Sequence, residues 1–154
     1  MNQPSPTVLS CAGAFEEVLA EARRLAEAGE TITLTGLDAL EPAEARQLLT
    51  LYLHDPAVQR PIEPFASLLG ALVRKVRLGL WAFHPEAPRD TILEALPREQ
   101  PQCMACPSFP LCQGYAAWAG SCATWLALLT GLAEAARELG RLHRSTFGSC
   151  HDEA

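Results

Sequence analysis

Apolar residues recur at three- and four-residue spacing along most of the chain, the period that places one stripe on a helix face. Between Gly13 and Gly29 the stripe is Phe15, Val18, Leu19, Ala22, Leu25 and Ala26, with Glu16, Glu17, Glu21, Arg23 and Arg24 opposite. Gly29 stops that helix. Asp38 or Glu41 opens a second one with Pro42 in its first turn, and Ala45, Leu48, Leu49, Tyr52 and Leu53 face inward before Asp55-Pro56 ends it. A third, long stripe runs through Phe65, Leu68, Leu69, Leu72, Val73, Val76, Leu80 and Trp81. Arg74, Lys75 and Arg77 beside it read as a solvated face with packed stems, or as a docking patch for an acidic group. His84-Pro85 and Pro88 break the third helix, and Asp90 caps a short fourth through Leu96. The longest pattern spans Ser121 to His143. Trp125, Leu126, Leu129, Leu132, Ala133, Ala136 and Leu139 face inward there, and Glu134, Arg137, Glu138, Arg141 and Arg144 outward.

One stretch breaks the helical period. Thr31-Ile32-Thr33-Leu34-Thr35 alternates like a short strand, but no other segment offers it a convincing partner, so it reads as an extended linker. Residues 1–12, with Pro4 and Pro6 among small polar residues, read as a flexible lead, and residues 148–154 as a flexible tail. The pattern therefore predicts an all-α domain of four to six helices over residues 13–147.

With 154 residues the chain is long enough to bury a core without metal or disulfide staples. Apolar residues are 49% of it, yet no run reaches the ~18 uninterrupted apolar positions of a membrane helix. The net charge is −6. Residues 1–65 hold ten acids against four bases and residues 66–154 eight against eight, so the acidity lies in the N-terminal part. That balance argues against nucleic-acid binding over the whole surface. The N-terminus has neither a basic segment nor a following apolar run, which points to the cytoplasm, where structural disulfides are rare.

Catalytic constellations are scarce. His54, His84, His143 and His151 are scattered, and none stands beside a nucleophile in an elbow motif. No glycine-rich phosphate loop is present, and Glu16-Glu17 sits on a helix surface. Nothing in the pattern suggests a hydrolase or a transferase.

The chemistry gathers instead at Cys103-Met104-Ala105-Cys106-Pro107-Ser108-Phe109-Pro110-Leu111-Cys112. Half of the six cysteines fall there, spaced Cys-x2-Cys-x5-Cys, on a segment that Pro107 and Pro110 stiffen into a loop. Pro97 and Pro101 frame its entry. No charged residue lies between the thiols, so the site is dry and suited to a soft, sulfur-bound metal centre. A structural zinc site usually brings two pairs of ligands, and the second pair is missing here. An iron–sulfur cluster takes about four thiolates, commonly a Cys-x2-Cys pair with others nearby or remote and a Pro beside one ligand, as in Cys106-Pro107.

Over these ten residues the chain resembles the iron–sulfur loops of radical-SAM auxiliary-cluster domains, WhiB-like regulators and the molybdenum-donor proteins of nitrogen fixation. The resemblance implies a cluster, [4Fe-4S] or related, on Cys103, Cys106 and Cys112. In the radical-SAM pattern a Gly-Gly-Cys follows the third thiol, whereas here Gln113-Gly114-Tyr115 follows and the next cysteine is Cys122. On one straight helix Cys112 and Cys122 would stand about 15 Å apart, too far for one cluster. A turn at Gly114 and Gly120, with Ser121 capping the helix that follows, would bring Cys122 back as the fourth ligand. Cys11, Cys150 and His151 are the alternatives. Tyr115, Trp118 and Trp125 follow closely and are expected to pack in the core or to shield the site from water.

The sequence reading is thus a small cytoplasmic iron–sulfur accessory protein serving a larger protein partner as cluster carrier, redox sensor or electron-transfer partner. The alternative is a helical interaction module with a structural zinc. A DNA-associated regulator contacting through Arg137, Arg141 and Arg144 ranks below both, because the acidic half would repel DNA.

Overall fold

The computed structural model describes residues 5–55, 58 and 60–147. The chain runs β1 (Thr7–Ser10), α1 (Phe15–Glu27), β2 (Ile32–Thr35), a 3-10 turn (Leu37–Ala39), α2 (Pro42–His54), β3 (Ile62–Glu63) and α3 (Phe65–Arg74). A second 3-10 turn (Leu80–Phe83) then leads into α4 (Arg89–Glu99), α5 (Pro101–Met104), α6 (Phe109–Cys112), α7 (Tyr115–Ala119) and α8 (Cys122–Phe147).

The fold is mainly helical, but it is not all-α. The segment expected to be a linker is the central strand of a three-stranded parallel sheet of order β1-β2-β3. Thr7 pairs with Ile32 and Ser10 with Thr35, while Ile32 also pairs with Ile62. Thr7–Ser10, expected in a flexible lead, is therefore an edge strand. Parallel neighbours need a crossover, and α1 and α2 supply the two connections. The sheet is buried through alternate residues: Ile32 and Leu34 of β2 and Ile62 of β3 are in the core.

Local chemistry accounts for some of the helix ends. Helix α1 buries Val18, Leu19, Ala22, Leu25 and Ala26 of the stripe its period predicts, with Phe15 partly buried at its start. Pro42 opens α2, whose Glu44 carboxylate accepts the backbone N–H of Glu41 at 3.0 Å. The third helix is shorter than its stripe suggests. It stops at Lys75, which takes the left-handed conformation at φ 57°, so Val73 and Val76 are exposed while Leu80 and Trp81 enter the core from the separate 3-10 turn. Helix α4 runs past Leu96 to Glu99 with Pro97 inside its last turns. Helix α8 packs against α2 and α3 and buries Trp125, Leu128, Leu129 and Leu132, all at most 3% exposed, whereas Leu126 and Leu139, expected to face inward, are more than 40% exposed. Eight α-helices are present among the described residues, against four to six expected, because the cysteine segment forms short helices rather than a loop. No described helix is long and apolar enough to cross a membrane.

Candidate metal centre

Proline has an opposite role in the cysteine segment from the one expected. Pro101 opens α5 and Pro110 lies in the first turn of α6, positions where the missing N–H costs nothing and the fixed φ suits a helix. Cys103 sits on α5, Cys106 in the link to α6, Cys112 at the end of α6 and Cys122 at the start of α8. Gly114 (φ 82°) and Gly120 (φ 74°) bound α7, and both are left-handed. These two turns reverse the chain and return Cys122 to the other three thiols.

Cys103, Cys106, Cys112 and Cys122 line one cavity of about 50 Å³. The rest of its wall is largely apolar and includes Phe109, Ala116, Trp125, Leu126 and Leu129. Cys122 is exposed, so the cavity meets the surface at its side, and the other three thiols are half-buried. Burial, and then the neighbouring thiols Cys122 and Cys106, push the Cys103 pKa up. Burial also raises Cys112, opposed by the backbone N–H groups of Ala116 and Gly114; the Ala116 N–H reaches the sulfur at 3.3 Å. Such N–H groups stabilise a thiolate and would stabilise a metal-bound sulfur equally.

Among the described residues no three His, Cys, Asp or Glu side chains converge closely enough to hold a single metal ion. One tetrahedral zinc would need its ligands at about 2.3 Å from a common centre.

The alternative ligands stand elsewhere. Cys11 is 2% exposed at the end of β1, its N–H bonded to the Thr35 carbonyl, and it is not part of the cavity wall. Burial moves its pKa from the ordinary 9.0 up to about 11, which marks it as an inert core thiol. Cys150 and His151 lie outside the described residues. Ser121 stands directly before α8, where the expected cap would be, its carbonyl accepting the Trp125 N–H at 3.0 Å, and its hydroxyl donates to Asp38.

Tyr115, Trp125 and Trp81 pack in the core as expected, but sequence reasoning missed the parts of His84 and Asp38 in holding them. Tyr115 is fully buried and stacks on His84, with ring centroids 4.3 Å apart at 16°. Trp81 and Trp125 meet the same ring edge-on at 5.3 and 6.1 Å. Trp81 Nε1 donates to the Gln113 carbonyl at 2.9 Å, tying the second 3-10 turn to the link between α6 and α7. Asp38 accepts hydrogen bonds from Tyr115, Ser121 and Trp125. Trp118 does not share this burial; it is half-exposed.

No protein-family model, no curated protein and no solved structure matches the chain.

Proposed function

We propose that this chain is a small iron–sulfur protein whose Cys103, Cys106, Cys112 and Cys122 hold a four-iron cluster, and that it serves a larger partner protein as an accessory factor. The observation that carries this reading is the gathering of four cysteines from separate local elements around one apolar cavity. A cluster held there supplies one-electron exchange or is itself passed on. The chain supplies the thiolates, the N–H groups of Gly114 and Ala116 at Cys112, and a wall of Phe109, Trp125 and Leu129 that excludes water. The exposure of Cys122 on one side leaves an approach for a partner. Met104, Trp118 and Leu126, each 42% exposed or more, are large apolar side chains on α5, α7 and α8 beside the cysteines, as a protein-docking surface requires.

The test is purification or reconstitution without oxygen, with iron, sulfide and zinc analysis. A broad absorption band near about 400 nm with about four iron and four sulfide per chain is expected. Cys106→Ser abolishes it. Full iron and sulfide in that variant, or about one zinc per chain without visible absorption, overturns the proposal.

A further inference from the structure

Asp38 stands in the 3-10 turn directly after β2, the central strand. Its Oδ2 accepts the Tyr115 hydroxyl at 2.7 Å, and its Oδ1 accepts the Ser121 hydroxyl at 2.6 Å and Trp125 Nε1 at 2.7 Å. All three donors belong to the α7–α8 corner, which follows Cys112 and carries Cys122. Tyr115 opens α7 three residues after Cys112, across the left-handed Gln113 and Gly114, Ser121 immediately precedes Cys122, and Trp125 is part of the cavity wall. A second clamp comes from the same segment, where the buried Thr124 hydroxyl donates to the Leu40 carbonyl at 2.6 Å.

The placement along α8 gives these bonds leverage. Ser121, Thr124 and Trp125 recur at the three- and four-residue spacing of one face and bond to the Leu37–Leu40 segment. Cys122, Leu126 and Leu129 occupy the adjoining face and line the cavity with Trp125. Fixing the first face fixes the second, because the first turn of a packed helix moves as a unit. A carboxylate suits the task, since it accepts from several donors at once and offers none of its own.

We infer that Asp38 is the positioning residue of the cysteine site: it fastens the α7–α8 corner to the sheet and so sets where Cys112 and Cys122 stand. Its consequence for metal loading rests on the function proposed above; the positioning itself does not. An amide at this position keeps one acceptor oxygen and turns its N–H group toward at least one of the three donors, so that this hydrogen bond must reverse, at a hydroxyl, or break, at the indole.

The experiment compares wild type, Asp38→Asn and the milder Ser121→Ala by two readouts. The first is iodoacetamide labelling of each cysteine in the metal-free chain, resolved by mass spectrometry. The second is iron and sulfide retained after reconstitution with ferrous iron and sulfide. Asp38→Asn is expected to label Cys112 about tenfold faster, through local opening of the corner, while Cys11 keeps its wild-type rate. Iron retention falls in the same variant, and Ser121→Ala changes both readouts in the same direction by less. If Asp38→Asn unfolds, so that Cys11 also labels rapidly, Ser121→Ala decides by the same criteria. Unchanged Cys112 labelling in a folded variant overturns the inference, as does acceleration of Cys11 in step with Cys112 in Ser121→Ala. A wild-type chain that retains no iron refutes the metal-site reading, and the labelling of the metal-free chain then decides the positioning separately.

Discussion

Replacing Gly114 by alanine tests the turn that brings the cysteines together. Gly114 lies at φ 82°, and a Cβ added there would stand 2.7 and 2.8 Å from Cδ1 and Cδ2 of Leu96. Leu96 is 3% exposed and has little room to retreat. The left-handed conformation costs an L-residue about 1–2 kcal/mol, and forcing a methyl group into a packed wall about 1–3 kcal/mol more. The expected loss is therefore about 2–5 kcal/mol, a large part of the roughly 5–15 kcal/mol that holds a domain folded. Gly120→Ala is the matched control. Gly120 turns the other end of α7 at φ 74° with nothing within 4 Å of the added carbon, so only the conformational cost of about 1–2 kcal/mol applies. In urea, with a slope of about 2 kcal/mol per molar, the midpoint should fall by about 1–2.5 M for Gly114→Ala and about 0.5–1 M for Gly120→Ala. Equal shifts would show that Leu96 does not close on Gly114. Losses below about 0.5 kcal/mol in both would show that the chain does not take these left-handed turns, and the convergence of Cys112 and Cys122 would fall with them.

Thr124→Val removes the hydroxyl that satisfies the Leu40 carbonyl and should cost about 1–3 kcal/mol by urea unfolding, whereas a neutral result would exclude that bond. Leu128→Ala, at a position 0% exposed between α8 and its neighbours, should lose about 2–5 kcal/mol, read as a lowered Tm. Cys11 gives an alkaline signature. Its folded pKa is raised from 9.0 to about 11, so between those values the unfolded chain has released a proton that the folded chain keeps, and stability falls as pH rises. Cys11→Ala should flatten that slope in urea titrations run across the same interval. If the cluster proposed above is bound, its uptake should show the complementary dependence: Cys103 and Cys112 are raised above the usual thiol range and would have to lose protons to bind, so iron retained after reconstitution should decline as the pH is lowered.

The helix stripes were legible because a period near 3.6 is a local property, and α1 buries the residues its spacing selects. The sheet was not. Its strands are four, four and two residues long, and Ile32 finds its partners at Thr7 and Ile62, each more than twenty residues away. Parallel pairing leaves no hairpin turn in the sequence to announce it. The third stripe failed for another reason. Val73 and Val76 continue the apolar period, but the chain turns at Lys75, so apolar character persisted where the helix did not.

At the site, spacing selected Cys103, Cys106 and Cys112, and the distance along a straight helix required a turn before Cys122 could join them. Both glycines proposed for that turn take the left-handed conformation. Asp38 escaped because the same chemistry serves two purposes. A short carboxylate a few residues before Pro42 is what a helix start uses, and its selection as a cap concealed its use as an acceptor for remote donors. The missing signal lay at the other end of the chain. Tyr115, Ser121 and Trp125 each carry a donor at a position the structure buries, and buried donors require acceptors. Asp38 is flanked by Leu37, Ala39 and Leu40, an apolar setting that a solvated acid does not need. An acid in apolar sequence and three donors in apolar sequence are each anomalous alone, and each supplies what the other lacks. Pairing such anomalies across the chain is therefore the step that hydrophobic periodicity cannot replace, because periodicity reports which faces are buried and not which polar groups are buried together.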